Sequence, residues 1–213
     1  MKGILVLGAG GHARQVMTVY QDSFRFDEVI GLVEENSKRV GESIMNRPVL
    51  DASVLDVMES GDVMLMNGMG ATSRKRWIEE LEDSGFRFDR LVHPSVRIRD
   101  SVEIGQGSLV SQGVSMTVDI QIGKHSIINL NSTVGHDSRI GDYVTVSPGS
   151  NIAGNVTIGN ETWVGIGAVV IEKVTIGSNS YIGAGSVVVD DIPDNTVAYG
   201  VPAKPRKKVP DAP

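Results

Sequence analysis

Ile104-Gly105-Gln106-Gly107-Ser108-Leu109-Val110-Ser111-Gln112-Gly113-Val114-Ser115-Met116-Thr117-Val118-Asp119-Ile120-Gln121-Ile122 carries an aliphatic residue or Met at every sixth position, counted from Ile104. The same ruler runs without an insertion from Ile98 to Val188 and fills all sixteen of its positions. Hydrophobic residues are 40% of the chain, so chance would fill about two positions in five. The dipeptide Ile-Gly begins at Ile104, Ile122, Ile140, Ile158 and Ile176, always 18 residues apart. An α-helix needs spacings of three and four, which a strict six excludes. The period predicts a solenoid in which each hexad makes one short strand and one turn. Three hexads then make a triangular coil of 18 residues, with each aliphatic side chain stacked on its equivalents. The fifth place of the hexads holds small or β-branched residues, such as Ser108, Ser126, Ser138, Val144, Val156 and Ser180. They let the chain bend at the corners, and glycines are expected where a turn needs positive φ.

Before Pro94 the ruler fails and an α/β pattern replaces it. Gly3 to Leu7 reads as a buried strand, Gly8-Ala9-Gly10-Gly11-His12-Ala13 as a tight turn, and Gly11 to Asp22 as a helix. Val29 to Val33 reads as a second strand ending at Glu34-Glu35. Val54 to Met58 looks helical, Val63 to Met66 a strand and Ser73 to Asp83 helical. Strand, glycine turn, helix and a strand with a terminal carboxylate describe a mononucleotide-binding βαβ unit. Glycines let the backbone approach a phosphate, and a helix N-terminus supplies N–H groups and a favourable dipole. Gly68-Met69-Gly70 and Arg74 suggest a second loop at the same sheet edge. The bland reading is a glycine turn used for packing alone. The expected division is a Rossmann-like domain over 1–93, a β-helix over 94–202 and a tail over 203–213.

Composition removes several classes of function. The 213 residues contain no cysteine, which excludes disulfides, Cys-ligated zinc and a Cys nucleophile. Aromatics are 5% of the chain and glycines number 25. The formal charge is −6, a poor match to nucleic acid. Basic runs at Arg74-Lys75-Arg76 and Lys204 to Lys208 read most simply as a solvated helix face and a solvated tail. No apolar run approaches the ~18 residues a membrane span needs. The chain is expected to be cytoplasmic.

Among the four histidines, His12, His93, His125 and His136, the two in the repeat bear on chemistry. His136 is the third residue of its hexad, at a corner and pointing outward. One coil later stands Gly154, which leaves space and exposes its own N–H. Asp137 can hold the second ring nitrogen. Histidine suits proton transfer near neutral pH. His125, fourth in its hexad, is also expected to point outward. Both could equally be exposed polar turn residues.

Residues 94–201 resemble the hexapeptide-repeat acyltransferases, whose fold is a left-handed parallel β-helix. Three motifs narrow the resemblance: Leu7-Gly8-Ala9-Gly10-Gly11-His12-Ala13, Val134-Gly135-His136-Asp137 and Gly200-Val201-Pro202-Ala203-Lys204. With them nearly the whole chain resembles the sialic-acid O-acetyltransferase and bacillosamine or perosamine N-acetyltransferase family. That resemblance implies acetyl-CoA as cosubstrate, no metal, and a homotrimer with its site between subunits. His136 and Asp137 match the catalytic pair, Asn129 a residue near the acetyl group, and Gly154 the N–H that receives the acetyl carbonyl. Ile166, Ala184, Pro202 and Lys204 match coenzyme A contacts. The second histidine of many relatives is here Thr145. Glu34 and Glu35 replace the usual uridine-binding acidic pair, and Gly8, Gly10, Gly11, His12 and Arg74 complete the nucleotide-sugar candidates. The implied activity is N-acetylation of a nucleotide-linked amino sugar, with a UDP-4-amino-4,6-dideoxy sugar named first, in bacterial surface glycan synthesis. O-acetylation of a sialic-acid-like sugar is the alternative. A nonenzymatic scaffold like the γ-carbonic-anhydrase assembly subunits is more distant, because their zinc needs three histidines and the repeat has two.

Overall fold

The computed structural model describes residues 3–35, 37–70 and 74–209, and the chain divides into two units, 1–93 and 94–213. In the first unit the elements are β1 (Gly3–Leu7), α1 (Gly11–Asp22), β2 (Val29–Glu34), β3 (Ser43–Ile44), β4 (Arg47–Asp51), β5 (Val63–Asn67), α2 (Arg74–Asp83) and β6 (Arg87–Phe88). Ser73, the expected first residue of the second helix, lies outside the described residues. β1 is wholly aliphatic after Gly3, and Ile4 to Leu7 are at most 2% exposed, as a strand covered on both faces requires. The sheet order is β3-β4-β2-β1-β5-β6, so the direction of strand addition reverses at β1. All pairs are parallel except β3 with β4. That hairpin was not legible in the sequence. Its turn residues Met45 and Asn46 both have positive φ, 49° and 61°, as a two-residue hairpin turn demands, but no glycine announces it. The expected helix at 54–58 is a short 3₁₀ turn, Ala52–Asp56, capped by the Asp51 carboxylate on the Ser53 N–H.

The second unit is a coil of two- and three-residue parallel strands in three faces. The first face contains Val102–Ile104, Ile120–Ile122, Arg139–Ile140, Thr157–Ile158 and Thr175–Ile176. The second contains Leu109–Val110, Ile127–Ile128, Thr145–Val146, Trp163–Val164 and Tyr181–Ile182. The third contains Ser115–Met116, Thr133–Val134, Asn151–Ile152, Val169–Val170 and Val187–Val188. Residue i pairs with i+18 throughout, as in Val134 with Ile152 and Ile152 with Val170. This architecture fits the left-handed β-helix. Every ruler residue from Ile104 to Val188 is buried, whereas Ile98 is 39% exposed. The ruler therefore starts one hexad before the coil has a layer to bury it.

Two further columns explain how so tight a coil closes. Every sixth residue from Gly107 to Gly185, the fourth of each hexad, has positive φ. Only some are glycines; His125, Asp137, Tyr143, Glu161 and Lys173 bear the left-handed strain instead. The glycines of the Ile-Gly pairs serve differently. A Cβ on Gly123 would lie 2.6 Å from the Gly141 carbonyl carbon, so the next coil excludes a side chain there. The fifth-place hydroxyls form a ladder. Ser108 Oγ donates to Gly123 O at 2.8 Å and accepts from Ser126 N at 2.9 Å; Ser126 Oγ repeats both bonds with Gly141 and Val144. Each buried hydroxyl thus satisfies the next coil's backbone.

Residues 203–208, expected as a tail, are instead a strand, Ala203–Lys208, antiparallel to Thr196–Gly200 through a turn holding a cis Val201–Pro202 bond. The pairing gives this segment backbone partners that a solvated tail lacks. Among the described residues no helix is long and apolar enough to cross a membrane, and no group of three or more acidic or histidine side chains could hold a metal.

Candidate active site

His136 stands at the corner between the third and first faces. Its side chain is 56% exposed, and Nδ1 lies 2.7 Å from Asp137 Oδ2. Asp137 reaches the ring of its own neighbour because its φ is +58°, the left-handed value of every fourth-place residue. A carboxylate oxygen accepts, so Nδ1 carries the proton and Nε2 presents its lone pair outward. Ser138 Oγ anchors the corner, donating to Ala153 O at 3.0 Å and accepting from Val156 N at 3.2 Å. Asn155 N also donates to His136 O at 2.7 Å. These bonds set the imidazole against Gly154: a Cβ there would lie 2.6 Å from His136 Nε2. Among the described residues the Gly154 N–H makes no hydrogen bond. A base and an available donor therefore meet at one corner, which is what acyl transfer requires.

Asn129, Ile166 and Ala184 line a different corner, between the second and third faces. Asn129 Oδ1 accepts from Leu130 N at 2.8 Å. Ile166 is 61% exposed and Ala184 is exposed. Their N–H groups, like that of Gly154, have no partner among the described residues. Gly149, Gly167 and Gly185 stack beside them with no atom within 4 Å of a Cβ position, leaving this corner open. Within one chain the third face separates the base from this group. Lys204 is held by Asp190 at 2.7 Å, and Pro202 is exposed in the hairpin turn. Thr145 is 4% exposed, in a strand of the second face, away from the His136 corner.

His125 corrects the expectation of an outward side chain, because it is fully buried. Its ring stacks on Tyr143 with centroids 5.0 Å apart, in the column Gly107, His125, Tyr143. A Cβ on Gly107 would sit 2.0 Å from its Nδ1, so the glycine below makes the room. His125→Ala is expected to leave a cavity and cost on the order of 2–4 kcal/mol, read as a lower denaturation midpoint. An unchanged midpoint would restore the exposed-turn reading.

In the first unit, Leu7 at the end of β1 pairs with Asn67 at the end of β5 and with Val33, one residue before the end of β2. The turns 8–10 and 68–70 therefore leave the same edge of the sheet. Gly8 has φ +89°, and its Cβ would meet Met69 Cγ at 2.9 Å. The Asn67 amide shapes the second loop, accepting from Met69 N and donating to Met69 O, both at 3.0 Å. An Asn at a strand end is a turn signal that the sequence reading passed over. Gly10 is the N-cap of α1 and supplies no capping side chain. A Cβ on Gly10 or Gly11 would meet nothing within 4 Å. No atom of the described residues requires a glycine at position 10, and the space in front of it is open.

The acidic pair is engaged. Glu34 Oε2 accepts from Ala9 N at 3.1 Å, Arg39 donates to Ala9 O, and Glu35 pairs with Arg76 at 3.3 Å. Glu34 thus shapes the glycine turn, and Arg39, unmarked by any motif, completes the clamp. His12 is pushed down to about 4 by burial and then by Arg74, with a Gln15 hydrogen bond opposing. It is neutral at pH 7, and among the described residues its buried Nε2 has no hydrogen-bond partner. Arg74 is 2% exposed and departs from the expected solvated face, whereas Lys75 and Arg76 keep to it and pair with Glu79 and Glu80.

Residues 155–190 match the bacterial transferase hexapeptide (six repeats) family. Over 97% of both chains, the protein is 33% identical to a His-to-Asn variant of perosamine N-acetyltransferase from Caulobacter crescentus, in complex with CoA and GDP-perosamine, with a TM-score of 0.90. It is 31% identical to the acetyltransferase domain of PglB from Neisseria gonorrhoeae, over 97% of this chain and 100% of that one, with a TM-score of 0.88. WeeI from Acinetobacter baumannii is 28% identical over 96% and 99%, with a TM-score of 0.87. No curated protein sequence matches.

Proposed function

The chain belongs to the hexapeptide-repeat sugar acyltransferases of the NeuD/PglD-like type, and from that premise we propose that it moves an acetyl group from acetyl-CoA to the amine of a nucleotide-linked amino sugar. The observation that carries this reading is the corner where His136, oriented by Asp137, faces the N–H of Gly154. His136 Nε2 takes a proton from the sugar amine as nitrogen attacks the thioester carbonyl. The Gly154 N–H donates to the developing oxyanion. The tetrahedral intermediate collapses, the carbon–sulfur bond breaks, and the imidazolium returns its proton to the departing thiolate.

The first unit, read as Rossmann-like, takes the nucleotide. Its support is the reversal of strand order at β1 with two glycine loops at that edge. A UDP-4-amino-4,6-dideoxy sugar is the substrate named first. GDP is the second reading, because the Caulobacter relative holds GDP-perosamine. Separation of Asn129, Ile166 and Ala184 from His136 supports a homotrimer, in which a neighbouring copy closes the site. Light scattering should give three times the chain mass; an active monomer would sink the trimer.

Thiol release from acetyl-CoA, measured across UDP-, GDP- and dTDP-amino sugars and CMP-sialic acid, tests the activity. Release with an amino sugar of one nucleotide supports it; release only with the sialic acid supports O-acetylation. Gly10→Val and Gly8→Val separate binding from folding. Gly10→Val should lower stability by no more than the poorer N-cap costs, about 1 kcal/mol or less, and raise the sugar-nucleotide KM about tenfold or more. Gly8→Val should destabilise by about 1–2 kcal/mol, because a β-branched residue is forced to positive φ. If Gly10→Val leaves that KM unchanged, the turn is a packing device.

A further inference from the structure

The strand pair at the end of the coil carries a basic side chain that no motif marks. Tyr199 pairs with Lys204 and Ala198 with Pro205, but Val197 pairs with Lys207, so Arg206 is the extra residue of a β-bulge. A bulge re-aims the side chain it carries. Here the Arg206 guanidinium lies over the Tyr199 ring, 5.2 Å from its centroid. Arg206 is exposed and pairs with no carboxylate among the described residues, whereas Lys204 is held by Asp190. The hairpin caps the open corner directly: Gly183 N donates to Ala198 O at 2.9 Å, and Gly200 N to Ser186 Oγ at 3.2 Å. Tyr199 therefore follows Gly183, and Gly200 follows Ala184, as the next step along the corner that holds Ile166. From the level of His136 to Asp190 is three coils, roughly 14 Å of rise at the usual strand spacing. That is the far end of an extended acyl carrier whose thioester lies at His136.

We infer that Arg206, carried over the Tyr199 ring by the bulge, binds the 3′-phosphate of coenzyme A. The inference rests on the acetyl-CoA reading above and names the cation that reads the other end of that molecule. The ring holds the guanidinium in place by a cation–π contact, and a guanidinium offers two phosphate oxygens a fork of donors that an ammonium cannot copy. Lys207 and Lys208 add charge along the same strand.

The test compares acetyl-CoA with acetyl-3′-dephospho-CoA, using the full-length protein and Arg206→Ala and Arg206→Lys variants whose thermal midpoints are recorded alongside. The unaltered protein should show a KM about tenfold or more lower for acetyl-CoA than for the dephospho form. Arg206→Ala should lose that preference by raising only the acetyl-CoA KM, with kcat kept, and Arg206→Lys should restore part of it. Two results overturn the inference: no preference in the unaltered protein, or a preference that survives Arg206→Ala. An equal rise in both KM values also overturns it, placing Arg206 on the pyrophosphate. If the unaltered protein uses neither donor, the acetyl-CoA reading itself fails.

Discussion

Replacing His136 by alanine is expected to lower kcat by about 10²–10⁴-fold, the usual share of a positioned general base. KM values for both substrates should move little, because the imidazole acts on a proton that moves only during reaction. The fold should not suffer, since the ring is 56% exposed and supports no core contact. Asp137→Asn should cost less than His136→Ala. An amide at this position can still hold the ring by donating from its nitrogen, but it then favours the wrong tautomer, with the proton on Nε2. Full turnover in His136→Ala, with the melting curve unchanged, would assign the base elsewhere.

Gly154→Ala is expected to lower kcat by about 10²-fold with little change in stability. The new Cβ would stand 2.6 Å from His136 Nε2 and 2.7 Å from Cε1, too close for both to remain. The exposed ring is the part free to yield, so the coil keeps its backbone bonds while the base leaves its position. Displacement by about 1 Å suffices for a loss of this size. The diagnostic comparison is with Gly167→Ala, where a Cβ meets no atom within 4 Å. There the cost is backbone strain at φ +66°, read in the midpoint rather than through the base. A Gly154→Ala enzyme with unaltered kcat would show that the ring does not work from its observed place.

The coil was legible because each inward position has one requirement, an aliphatic side chain, and repeats it every six residues from Ile104 to Val188. Adding one coil length to 136 was enough to place Gly154 beside the histidine. Other positions resist that arithmetic. The period distinguishes Gly123, second in its hexad, from Gly149, fourth in its own, but not that the next coil crowds the first while the second has positive φ and open space. His125 looked like another polar corner residue. Its burial depends on Gly107 one coil below and Tyr143 one coil above, contacts between residues 18 apart.

The sequence by itself therefore determined the period, the inward column, the division near residue 93 between two kinds of chain pattern, and the His136–Asp137–Gly154 corner. Each follows from spacing, and a strict period converts spacing directly into position. Only the tertiary structure decided that Glu34 and Arg39 clamp Ala9, that Arg74 is buried, that residues 203–208 form a strand, and that a bulge turns Arg206 onto Tyr199. These depend on side chains meeting across 7 to 30 or more residues with no repeat to relate them. A charged residue's partner is chosen by geometry that composition and spacing do not encode.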